Sequence, residues 1–229
     1  MASPGHEEIP LDLEGVPTIE AGVERAAEMD RQLTELGKTS MTHGDGQTML
    51  VSHLPFLGVL NRAISLHRGI VSAIQQSNPH VAFTLIRSYL ELVALVYTIG
   101  NDPSYLERLD RPPEQLPPEK RPRSIGKLIG AAGRDMPGIA RVYYNLSDEI
   151  AHFGATAIYQ AFSLTDEGVL RYGTAPHWKH DDEPRVALAM LLENDEAMLF
   201  LLNEWVDGLL APALGRVAKA QEEGTDPDP

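Results

Sequence analysis

The stretch PHVAFTLIRSYLELVALVYTI, from Pro79 to Ile99, constrains this chain more than any other. Advanced by about 100° per residue, His80, Thr84, Arg87, Glu91, Ala94 and Thr98 fall on one narrow stripe, and apolar side chains cover the rest of the circumference. A helix that is apolar on most of its surface is expected at the centre of its domain. Asn78 is a good N-cap, and Pro79 suits the first helical position, where its missing N–H costs no bond. Arg87 and Glu91 are one turn apart and can pair along the helix, although the better order places the acid first. Two readings of the stripe stand side by side. It is either a solvated face or the lining of an internal polar site, in which Arg87, Ser88 and Glu91 fix the register of packed helices.

The segments on either side repeat at helical rather than strand spacing. Thr18 to Leu36 reads as a helix ended by Gly37, followed by the loop KTSMTHGDGQT, whose HGDG is too short to be a phosphate cradle. Met49 to Gln76 is helical again, with Pro55 at a first turn or a kink and Leu57, Leu60, Ile64, Val71 and Ile74 on the buried side. His53 and His67 read as structural or surface residues. Asn101-Asp102-Pro103 caps a short helix to Leu109, and residues 110–123 form a Pro-rich loop. Ser124 starts a helix to Gly133, Pro137 one to His152, and Pro184 a last long one past Trp205 with a kink at Pro212. Between the last two, residues 157–173 alternate as a β-hairpin around Thr165-Asp166-Glu167-Gly168. The expected fold is therefore all-α, a single-domain helical bundle over residues 17–223 with a small β-hairpin insertion. Residues 1–16 and 224–229 carry Pro, Gly and acids without period and are expected to be loose.

Composition narrows the chemistry. The chain has no cysteine, so disulfides, thiolate nucleophiles and Cys-based metal sites are excluded. The acidic, Pro-containing start lacks the basic and apolar regions of a signal peptide, and charges interrupt every apolar run near the roughly 18 residues a bilayer requires. A cytoplasmic protein without membrane contact is expected. A net charge of −14 disfavours general nucleic-acid binding, and Lys120, Arg121, Arg123 and Lys127 read as charges of a solvated loop. His177 and His180 with Asp181, Asp182 and Glu183 are metal-capable types on an irregular loop of unspecified spacing, so no metal or other cofactor is expected.

The helix GIARVYYNLSDEIAHFG carries the second candidate. Tyr143, Leu146, Ile150 and Phe153 recur on a core face, while Asp148 and His152 lie four apart on another. A carboxylate can hold an imidazole there for general-base work; the same His can equally interact with the helix dipole.

RSYLE in one helix and YYNLSDEIAH in a later one together resemble bacterial helical proteins of the HEPN group, over about Val51 to Gly154. The resemblance implies helical bundles, often homodimeric, several of which act as metal-independent ribonucleases in toxin and antiviral systems. Their motif sets an Arg four to six residues before a His on one helix. Here His152 takes the His position, Asp148 that of the polar neighbour, and Ser147 stands where the Arg would be, with Arg141 too far upstream. Arg87 could supply that cation in space, placing Arg87, Glu91 and His152 in one site. Two expectations follow: a binding or interaction module with an Arg-Glu-His network in its core, and, as the alternative, a HEPN-like endoribonuclease.

Overall fold

Helix α3, Pro79–Asn101, takes the central place that its composition demands in the computed structural model, which describes residues 13–41, 53–147, 162–164, 168–173 and 176–222. Asn78 caps it as expected, its side chain accepting from the Val81 N–H at 3.2 Å. Ile86, Tyr89, Val93, Val96 and Ile99 are buried on several sides at once, and α3 packs against elements both before and after it in sequence. Before it come α1, Ile19–Met41, and α2, His53–Gln75; after it come α4, Ser104–Leu109, α5, Ile125–Ala132, and α6, Ile139–Leu146. The chain then reaches α7, Glu183–Trp205, a π turn at Val206–Leu210, and α8, Ala211–Glu222. The all-α class holds.

The α2–α3 connection is a tight turn. Ser77 N donates to Ile74 O at 3.0 Å and Asn78 N to Ala73 O at 2.8 Å, the two bonds of a Schellman motif, with Ser77 at φ 54° in the left-handed position usually given to glycine. Asn78 thus ends one helix and caps the next, which sets α2 and α3 side by side.

Several expectations are corrected. Gly37 does not end α1, which runs on to Met41; a Cβ there would lie 2.8 Å from Leu60 Cδ2, so the glycine serves the close approach of α1 to α2. Ahead of Pro212 the helix widens through the π turn, where Ala211 N reaches back to Val206 O, and this wider turn accommodates a proline that has no N–H for the α-helical ladder. The hairpin insertion expected over 157–173 is not seen at that size. The described residues there hold only a minimal antiparallel ladder, β1, Phe162–Leu164, against β2, Leu170–Tyr172, with Phe162 opposite Tyr172 and Leu164 opposite Leu170. Its turn residues Thr165 to Glu167, the HGDG loop and the 224–229 tail lie outside the described residues.

Residues 13–16 of the opening segment are fastened to the body. Arg185 Nε donates to Val16 O at 2.8 Å, Arg185 Nη2 to Leu13 O at 3.3 Å, and Arg25 Nη1 to Gly15 O at 2.7 Å, with Val16 fully buried. The Pro-rich loop forms two short 3-10 turns, Pro113–Gln115 and Pro118–Lys120, around the buried Leu116.

Two helices are long and apolar enough to cross a membrane by length and composition, the charges within them notwithstanding. In α3 the window is 56% buried, as in the core helix of a globular body. In the helix from Glu183 to Arg216 the corresponding figure is 28%, with Leu199, Leu201 and Leu209 half-buried against the core and Phe200 exposed.

Candidate functional site

The stripe on α3 meets α6. Arg87 Nε donates to Ser147 Oγ at 2.8 Å and Arg87 Nη2 to Tyr143 Oη at 2.9 Å; Nη2 also lies 3.2 Å from Glu91 Oε1, one turn along α3. Tyr143 Oη donates in turn to Glu91 Oε1 at 3.2 Å, and the Arg87 guanidinium sits 5.0 Å from the centre of the Tyr143 ring. Ser147 Oγ closes the set by donating to the Tyr143 carbonyl at 2.7 Å. The Arg87 and Glu91 side chains keep 23% and 30% of their surface, so the stripe is neither a solvated face nor a sealed core but a half-buried seam between two helices. A planar guanidinium with hydrogen-bonding partners in its plane and an aromatic ring against its face is held in one orientation.

Of the residues singled out in the sequence, Arg87 and Glu91 come together; Asp148 and His152 lie outside the described residues. Ser88 is not part of the seam, since its hydroxyl donates back to Thr84 O at 3.1 Å. Tyr143 and Ser147 were the missed partners. Their spacing of four puts both on one face of α6, a signal hidden by reading Tyr143 only as a core residue.

A second polar cluster was not legible at all. Asp195 of α7, fully buried, accepts from Tyr89 Oη at 2.8 Å through Oδ1 and lies 2.9 Å from His67 Nδ1 through Oδ2, with Tyr89 and His67 also buried. The cluster ties α2, α3 and α7. Burial is the largest influence on the Asp195 carboxyl and raises it above its usual range, while the bonds to His67 and Tyr89 pull it back only in part. Burial, and then the neighbouring carboxylate, push the Tyr89 phenol upward, so its hydroxyl stays a donor. Asp195 sits among Glu193, Asn194 and Glu196 in the sequence, where nothing distinguishes it from a surface acid. All three side chains are buried, and their bonds lock three helices to one another.

Among the described residues no three His, Asp or Glu side chains are grouped to hold a metal ion. No protein-family model, curated protein or solved structure matches the chain. The reading of function therefore rests on the geometry alone.

Proposed function

We propose that the chain is a binding or interaction module, a helical scaffold in which the Arg87 seam is structural. The observation that carries this reading is the commitment of the guanidinium: Ser147, Tyr143 and Glu91 hold it, and Glu91 neutralises it at 3.2 Å. A cation so compensated fixes the register of α3 on α6 and has little charge left to offer a phosphate. The half-burial of the seam sets the scale: hydrogen bonds to a charged group contribute about 1.5–3 kcal/mol.

One observation favours the ribonuclease alternative. Arg87 reaches Ser147, the residue standing where the HEPN motif has its Arg, so the cation arrives from another helix at the required position in sequence. In that reading Arg87 would stabilise charge on a phosphate and His152 would act as the base.

A single pair of measurements separates the two. Thermal melting of Arg87→Ala is expected to show a loss of about 1–3 kcal/mol, and the wild-type chain is expected not to cleave RNA in the presence of a metal chelator. Metal-independent cleavage that disappears in both Arg87→Ala and His152→Ala, with melting temperatures unchanged, would replace the scaffold reading with the enzymatic one.

A further inference from the structure

The C-terminal end of α3, the corner between α5 and α6, and α7 border a groove of about 610 Å³. Its floor is apolar. Met136, Leu201 and Leu209 line it together with the indole of Trp205, which is buried and held edge-on against Phe56. Gly100 and Gly208 form part of the wall, and a Cβ at either would meet nothing within 4 Å, so the space beside them stays open. A cavity of this size suits a small molecule. Ser147 and Phe162, the described residues on either side of 148–161, both sit towards the other end of α3. Ser147 lies against Arg87, and Phe162 is bonded to Lys179, next to the Trp178 that packs on Phe83.

The electrostatics of the groove select for a cation. Asp135 and Glu204 line it, and none of the described residues lining it is basic. Glu204 is exposed and has no described partner. Asp135 accepts from Tyr97 Oη through Oδ2, which leaves Oδ1 open. Arg134, its neighbour in sequence, turns its Nε back to the Ala131 carbonyl at 3.5 Å. Gly100 and Asn101 bring the carbonyl end of α3 to the groove, and the helix dipole there favours positive charge. The rings of Tyr97 and Trp205 act in the same sense, since a π system attracts a cation within about 6 Å of its centre.

We propose that this groove is a binding site for a small organic cation, an ammonium or amidinium head on an apolar or aromatic body. The head meets Asp135, Glu204 and the end of α3, while the body covers Met136, Leu201 and Trp205. A bare inorganic cation gains only the first set of contacts and a neutral aromatic only the second. The net charge of −14 draws cations towards the surface and speeds their entry. Tyr97 stands roughly 15 Å along α3 from Arg87, so the site goes beyond the scaffold reading of the Arg87 seam and is tested apart from it.

Fluorescence titration of the full chain carrying Trp178→Phe follows Trp205 alone, since the sequence has two tryptophans. Benzyltrimethylammonium is expected to change its emission saturably, with a dissociation constant in the millimolar range or tighter. Tetramethylammonium lacks the apolar body, benzyl alcohol lacks the charge, and phenylacetate reverses it; each should bind roughly tenfold or more weakly. Asp135→Asn and Glu204→Gln should each weaken binding of benzyltrimethylammonium roughly threefold or more, with circular dichroism unchanged. The absence of saturable binding overturns the proposal. So does equal affinity for benzyl alcohol or phenylacetate, an affinity indifferent to both carboxylate variants, or a response confined to an oligolysine peptide.

Discussion

Ser77 shows how a single residue sets the geometry of its neighbours. It is exposed, it holds φ 54°, and the two backbone bonds on either side of it turn α2 directly into α3. A side chain in the left-handed region costs about 1–2 kcal/mol that glycine does not incur, partly offset by the greater freedom of glycine in the unfolded chain. Ser77→Gly is accordingly expected to stabilise the protein by about 0.5–1 kcal/mol, a rise of a few degrees in melting temperature. A lower melting temperature would mean that the serine side chain contributes more than its strain costs. Asn78 was readable in advance as a cap because its preference is local. The strained conformation of Ser77 was not, because it depends on where α3 has to lie.

At the scale of elements, the sequence announced the helices well and their contacts poorly. The apolar circumference of Pro79 to Ile99 marked α3 as central, since no other position would bury Ile86, Tyr89 and Val93 together. Glycine was the ambiguous letter: Gly37 looked like a stop, yet it lies inside α1 where α2 comes close. Gly22 plays the same part against α7, where a Cβ would lie 2.8 Å from both Leu188 Cδ1 and Val16 Cγ1. Leu188 is fully buried and Val16 is held by Arg185, so neither can move aside cheaply. Overpacking of this kind costs about 1–3 kcal/mol, against a helix-propensity gain approaching 1. Gly22→Ala is expected to lose up to about 2 kcal/mol in denaturant unfolding; a gain would show that the α1–α7 seam can open to admit the methyl group. The seam between α3 and α6 was half legible for a related reason. Arg87 and Glu91 stood out against an apolar background, while Tyr143 and Ser147 were spaced to meet them but resembled ordinary residues of an amphipathic helix.

For the molecule as a whole, the Asp195 cluster is where stability and pH meet. Its carboxyl holds a proton to higher pH in the folded chain than in the unfolded one. The folded state therefore binds more protons over the interval above the ordinary carboxylate range, near pH 4, so the contribution of Asp195 is full below that range and is lost as pH rises through the raised value. Asp195→Asn removes this titration. The stability of the wild type relative to that variant should fall as pH rises from about 4 towards neutrality; a gap that stays constant with pH would mean the carboxyl is ionised throughout. The fastening of the chain's start onto α7 has a consequence for the order in which the molecule assembles. Arg185 and Val16 are 169 positions apart, whereas the turn at Ser77 closes almost no chain. Loop closure costs more entropy the longer the intervening chain, so the α2–α3 pair can form early and the α1–α7 seam is expected to close late. The penalty of Gly22→Ala then falls on the unfolding rate, with refolding unchanged; a slowed refolding limb would place the seam in the nucleus instead.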